Sequence, residues 1–378
     1  MADLPVYSGG LLTSPVEAGY AFHLRFQLGD DAGATTRAQY VVDAGPYGTV
    51  VGSSLADLDR DADLLLHGAR REDWVDPLAA EIARAHELVR VARACGRRAI
   101  VESCRRNGRG HARVSAIVGD KATVPLGRQG RSAVLSAEGL AGITPDAVAG
   151  AFATASARAA DLAAAPDFPG FHGAVSFSPA ASGVLLHEAV GHLVEADNYV
   201  KSFRSLEQRI GTDLLSARDL GLGSGADDEG SASGPVDLVR RGTVVGVLTS
   251  RKYAALSGRV STGHALAPWH GETPVPRLAR LLLEPGESAA APAGLHVESV
   301  AWGRMNPATR EVTLTLGRTS LGVGGVIRMG LEDLLGRMTG VGSDVEWHPS
   351  LCLKNAHAAL VESGAPTTSF SDVPVGVA

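Results

Sequence analysis

Apolar side chains fall on every second position near the start of the chain, where Tyr20, Phe22, Leu24, Phe26 and Leu28 alternate with smaller or polar residues. A period of two lines side chains up on one face of a strand. With the following Gly-Asp-Asp-Ala-Gly turn and the extended run Gln39 to Asp43, it predicts a β-hairpin or meander over Ala18 to Ser53. From Asp73 to Ala94 the period changes. Leu78, Ile82, Ala85, Leu88, Val89 and Ala92 recur at steps of three and four, and Asp76-Pro77 supplies a cap followed by a proline, so a helix is expected. A second helix is expected over Thr144 to Ala164, an Ala-rich segment with Pro145 near its start and Pro166 just past its end. Between them, Arg97 to Arg113 holds six arginines and His111 among several glycines and reads as a solvated basic loop.

Pro166 to Pro179 reads as a linker or domain seam, with a short strand at Val175 to Ser178 leading into an apolar helix from about Ala181 to Tyr199. Gly221 to Gly234, with its acidic run Asp227-Asp228-Glu229-Gly230, is expected to be a loop. Strands are expected at Val236 to Val239, Thr243 to Leu248, Leu278 to Leu283, Leu295 to Trp302 and Glu311 to Leu316, with a turn at Arg240-Arg241-Gly242. No repeat of solenoid or propeller length occurs. The expected fold class is α+β. An N-terminal mixed domain would take residues 1–167, and a C-terminal domain of predominantly antiparallel strands, carrying the apolar helix, would take residues 168–378.

Composition narrows the function. The 378 residues suffice for two domains or one large one, and 45% hydrophobic against 20% charged residues excludes wholesale disorder. A net charge of -6 removes the general attraction for phosphate, so nucleic acid is not an expected partner. The first residues lack a basic stretch followed by an apolar one, and no apolar run reaches membrane-spanning length, so neither export nor a membrane is expected. Cys95, Cys104 and Cys352 are too few for a disulfide framework, which points to the reducing cytoplasm. Gly-x-Ser-x-Gly, the P-loop and a complete Gly-x-Gly-x-x-Gly are all missing, which disfavours serine hydrolases and nucleotide enzymes.

The segment richest in chemistry is Val184 to Asp197, which contains His187-Glu188-Ala189-Val190-Gly191-His192. This His-Glu-x-x-x-His pattern is one residue longer than the zinc-protease spacing that places two histidines on one helix face with a glutamate base. Five α-helical steps would turn the second imidazole roughly 140° from the first. A wider π-type turn, with about 4.4 residues, would bring both rings to one side, so a distortion is expected at Val190 to His192, helped by Gly191. Zinc would still need a further ligand. Glu195 and Asp197 could orient the histidines or simply solvate the helix end.

Gly183 to Asp197 resembles the signature helix of the TldD/PmbA family of zinc peptidases. The similarity continues through Asp227-Asp228-Glu229-Gly230, Arg241-Gly242, Arg251-Lys252-Tyr253-Ala254, Thr273-Pro274-Val275-Pro276-Arg277 and Leu283 to Ser288, and covers about Phe171 to the C-terminus. The resemblance implies that His187 and His192 ligate zinc, that Glu188 is the general base and that Cys352 completes a His2Cys set. It also makes Asp228 and Arg277, beside Glu195 and Asp197, candidates for supporting the ligands or binding substrate. His348 and His357 flank Cys352 as substitute ligands, while Cys95 and Cys104 are read as structural. Unfolded or modified peptides are the implied substrates, and a dimer, of identical chains or with a family paralogue, is the implied assembly.

Two departures from the family pattern stand out. The region before Asp167 is shorter than in typical members, and Leu193-Val194-Glu195-Ala196-Asp197 stands where Gly-Leu-Glu-Gly-Asp is common, which predicts a narrower pocket. The rival readings are a specialised natural-product enzyme acting on one modified peptide or amino-acid-derived substrate, and a non-catalytic binding subunit.

Overall fold

The structure, a computed structural model, describes residues 21–27, 37–43, 49–52, 75–95, 98–106, 109–117, 132–137, 140–202, 206–222, 226–227, 229–266, 273–286, 294–349 and 361–377. The early alternating residues form strands as expected. β1 (Ala21–Gln27), β2 (Arg37–Asp43), β3 (Thr49–Gly52), β4 (Arg98–Arg106), β5 (Arg109–Ile117) and β6 (Ser132–Ala137) make an antiparallel sheet in the order β3-β2-β1-β4-β5-β6. Helices Val75–Cys95 and Pro145–Ala164 lie against it and against each other. Leu88, Ala85 and Ala92 from the first and Val148, Phe152 and Leu162 from the second are buried, the stripe that three- and four-residue spacing demands. The first helix begins at Val75, so Asp76 lies in its first turn and does not cap it. The second is capped by Thr144, whose Oγ1 accepts the Ala147 N–H, with Pro145 in its first turn.

The described part of the basic stretch, residues 98–106 and 109–113, is not a loop. It forms the hairpin of β4 and β5, in which Val101 lies opposite Val114 and both are buried. The density of arginine hid a period-two pattern of which these two valines are the inward positions.

The remaining chain supplies β7 (Phe171–Phe177), β8 (Ala217–Asp219), β9 (Val236–Arg240), β10 (Thr243–Val244), β11 (Ala265–Leu266) and β12 (Val275–Pro276). After these come β13 (Arg280–Leu283), β14 (Leu295–Val297), β15 (Val300–Asn306), β16 (Glu311–Leu316), β17 (Arg318–Thr319) and β18 (Gly322–Val323). The last are β19 (Gly325–Gly330), β20 (Met338–Val341), β21 (Glu346–Pro349), β22 (Glu362–Ala365) and β23 (Thr368–Val377). Their main sheet runs β15-β16-β19-β23-β7-β14-β17-β18, with β20 beside β23, and a second runs β10-β9-β8-β13-β22-β21. Apart from isolated bridges, only β7/β14 and β13/β22 are parallel among the described strand pairs, so the expected α+β class with predominantly antiparallel strands describes the molecule.

Pro166 to Pro179, expected to be a linker or seam with a short strand from Val175, contains the longer β7, which lies between β23 and β14 with Val175, Ser176 and Phe177 buried. Three prolines and two glycines masked the start of a strand whose Phe177 meets Phe370 edge-on at 5.5 Å. Leu295 to Trp302 divides into β14 and β15, and Thr243 to Leu248 keeps only β10. The turn at Arg241-Gly242 is as expected. Both residues have positive φ, 46° and 75°, which a two-residue hairpin loop of this hand requires. Among the described residues no helix is long and apolar enough to cross a membrane.

Candidate metal centre

A capped, almost wholly apolar helix delivers the histidines. Ser178 caps helix Pro179–Leu186 by accepting the Ala181 N–H, and its hydroxyl donates to the Glu298 carbonyl. Ala181, Ser182, Gly183, Leu185 and Leu186 are all buried, so packing on several sides fixes this helix. The ladder then widens. The His192 N–H bonds to the His187 carbonyl at 3.1 Å, five residues back, and His187–Gly191 is one π turn. The expected distortion is present, beginning three residues earlier than Val190. It sets the two imidazoles edge to face with centroids 4.7 Å apart, and one ligand atom from each of His187, Glu188 and His192 lies within 4.8 Å of the others.

Gly191 has a different purpose from the one its flexibility suggested. A Cβ there would stand 2.3 Å from Leu278 Cδ1, so the residue is small because the π turn presses against the 277–281 segment.

Beyond the turn, Glu195 decides the question that its sequence position left open. Its side chain is 2% exposed and solvates nothing. Oε2 stands 3.0 Å from His192 Nδ1 and accepts from Asn198 Nδ2 at 3.2 Å, while Oε1 accepts the Leu278 N–H at 3.2 Å. A carboxylate can only accept, so Nδ1 carries a proton and Nε2 is the nitrogen facing Glu188, 3.9 Å away. Arg277 Nη1 reaches Glu195 at 3.4 Å and both oxygens of Asp197 at 3.2 Å, joining three of the candidate residues in one network. Asn198, one helical turn beyond Glu195, is a member that the sequence reading missed.

The electrostatics follow from burial and this network. Burial, with the charge of His192 beside it, lowers the His187 pKa to about 3. Burial also opposes charge on His192, but the charge and hydrogen bond of Glu195, aided by Glu188, prevail and raise it to about 9. The Glu188 carboxyl is pushed up by burial against the pull of His192. Glu195 is held below the ordinary carboxylate range although burial works against it, because His192 and Arg277 favour its charge. Two imidazoles and a carboxylate converging on one point, one imidazole fixed by a carboxylate behind it, form a donor set that suits zinc.

The other candidates fall in different places. Cys352 and His357 lie within residues 350–360, and Asp228 is also outside the described residues. His348, on β21, stands 3.3 Å from Glu346 and is not grouped with the histidines. Asp227 and Glu229, on either side of Asp228, are buried scaffolding. Asp227 accepts the N–H groups of Glu229, Ser231 and Ala265, and Glu229 accepts that of Arg251. Leu193 and Ala196, which replace the two glycines and were expected to narrow the pocket, are buried in the core.

Residues 172–377 match the family model of the PmbA/TldA metallopeptidase C-terminal domain. A zinc metalloprotease TldD homolog of Saccharolobus solfataricus is 29% identical over 124 residues, which cover 30% of this chain and 28% of that protein. A metalloprotease of Methanothermobacter thermautotrophicus is 26% identical over 222 residues, 52% of this chain and 49% of the relative. The chain thus spans about half or less of the length of these relatives. In three dimensions it resembles the crystal structure of TldE from Thermococcus kodakarensis, with a TM-score of 0.54 at 12% identity over 94% of this chain and 95% of that one, a likeness of fold. The family model covers more than half of the sequence, on the side that carries the histidine helix, and the chain belongs to the PmbA/TldD metallopeptidase family.

Proposed function

We propose that the protein is a zinc-dependent peptidase acting on unfolded or modified peptides, with His187, His192 and Cys352 holding the metal. The observation that carries this reading is the π turn, which turns a five-residue spacing into two imidazoles and a carboxylate within 4.8 Å. For Cys352 the support is indirect: β21 and β22, which bracket residues 350–360, pack against the helix that leads into His187. A His2Cys set would leave a position open, and zinc held there supplies Lewis acidity toward a peptide carbonyl.

The chain's own groups do the rest. Glu188 takes the proton of the attacking water and passes it to the departing amine, and burial raises its proton affinity in the direction this work needs. Glu195 keeps the Nδ1 proton on His192, and Arg277 and Asn198 hold Glu195 in place. β15 ends the main sheet among the described residues and packs against the π turn, so an extended peptide could add along it by main-chain bonds. The reading includes a dimer and a cytoplasmic location.

The test is zinc per chain in protein purified without added metal, for wild type, His192→Ala and Cys352→Ala, followed by hydrolysis of an unfolded peptide with Glu188→Gln as control. Near-stoichiometric zinc that falls in both variants, with peptide cleavage abolished by Glu188→Gln, is expected. A folded wild type without zinc overturns the reading.

A further inference from the structure

β15 passes directly behind the proposed base. Trp302 and Arg304 are exposed on its outer face, 47% in the case of Trp302, so the residue between them, Gly303, faces inward toward the π turn. A Cβ at Gly303 would stand 2.5 Å from Glu188 Cγ, 3.1 Å from its Cδ and 3.2 Å from Leu314 Cδ2. Leu314 is the partner of Gly303 on β16 and is fully buried, so that neighbour has no room to yield. The stem of Glu188 therefore packs on bare strand backbone, with its Oε2 3.9 Å from His192 Nε2.

Backbone conformation does not account for this glycine. Gly303 is absent from the positive-φ positions, and an ordinary strand favours a branched or aromatic side chain there. What remains is space.

We propose that Gly303 is a positioning residue for Glu188: the missing side chain lets the strand form a floor that holds the carboxylate at one height beside the two imidazoles. This deepens the peptidase reading and rests on it for its catalytic meaning. Any side chain at 303 would displace the carboxylate while leaving His187 and His192, which the π turn and Glu195 hold, where they are.

The experiment compares Gly303→Ala in the wild-type and Glu188→Ala backgrounds, and follows zinc content and steady-state kinetics on an unfolded peptide. The substitution should lower the thermal midpoint by about 2–6 °C in the wild type but by under about 1 °C when Glu188 is already truncated. Zinc per chain should be unchanged, and kcat should fall about tenfold to a hundredfold with little change in KM. An equal midpoint loss in both backgrounds would mean that Glu188 is not what the side chain meets, and overturns the proposal. So does an active wild type whose Gly303→Ala variant keeps full kcat, or a variant that loses zinc together with activity. A wild type that holds no zinc or cleaves no peptide is instead the failure of the peptidase reading; the midpoint comparison then still decides whether Gly303 supports Glu188.

Discussion

Two histidines paired with buried carboxylates sit a few residues apart around the 277–281 segment, and they are used differently. Asp219 is fully buried and accepts N–H groups from Gly221, Ala279 and Arg280 as well as His264 Nε2. The second ring nitrogen of His264 faces the Thr262 carbonyl at 2.8 Å, so every polar edge of this pair is committed within the protein. Glu195 and His192 begin in the same way, down to the backbone N–H of Leu278, but His192 keeps Nε2 free of the scaffold and turned toward Glu188. Both carboxylates are buried, but His264 is fully enclosed while the His192 side chain is 34% exposed. The count of hydrogen-bonding partners separates a fastener from a site.

The comparison breaks most visibly through the histidines. His187→Ala or His192→Ala should abolish zinc binding, whereas His264→Ala should destabilise the fold without removing the ligands; zinc per folded chain and thermal midpoints check both halves.

Asp219→Asn comes next, with an expected loss of about 3–5 kcal/mol in denaturant unfolding. Whichever way the amide is turned, its NH2 confronts a backbone N–H that the carboxylate accepted. Glu195→Gln should cost less stability, because Oε1 can still accept from Leu278 and the side chains around Oε2 can reorient. It should weaken zinc affinity by about 10–100-fold, as measured by competition with a chelator. Equal stability losses from the two would erase the distinction.

Acid sharpens the same contrast. Burial disfavours charge on Asp219, but the bonds from His264, Ala279 and Gly221 prevail and hold its carboxyl below the ordinary 3.8. A depressed pKa contributes stability that is fully present above 3.8 and is lost as pH falls through the folded value. Unfolding free energy in the wild type should therefore decline below about pH 4 more steeply than in Asp219→Asn. The smallest effect is expected from Gly191→Ala, which pushes Leu278 and should cost about 1–3 kcal/mol with some loss of zinc affinity.

What could be read in the sequence was what depends on spacing along the chain. The period-two and three-to-four patterns placed β1, β2 and both long helices, and the odd interval between His187 and His192 implied a π turn before any coordinates. What escaped depends on partners far away in sequence. The burial of Glu195 needs Leu278, the inward side of β15 is defined only once it pairs with β16, and Asp219 meets His264 across 45 positions. Only the end of β7, from Val175, was expected as strand and its start was read as linker because proline and glycine punctuate it, yet the main sheet supplies the pairing that this composition does not advertise.

In the language of alignment, the π turn is an insertion of one residue that the helix absorbs without breaking. Removing Ala189 or Val190 would restore the four-residue interval and leave both imidazoles about 40° apart on an ordinary helix, but would turn everything downstream by about 100°. Glu195 would then leave the reach of Leu278 and Arg277. The extra residue thus sets the phase between the histidines and the carboxylate that steadies them, and a shorter, more familiar motif could not simply be substituted into this scaffold.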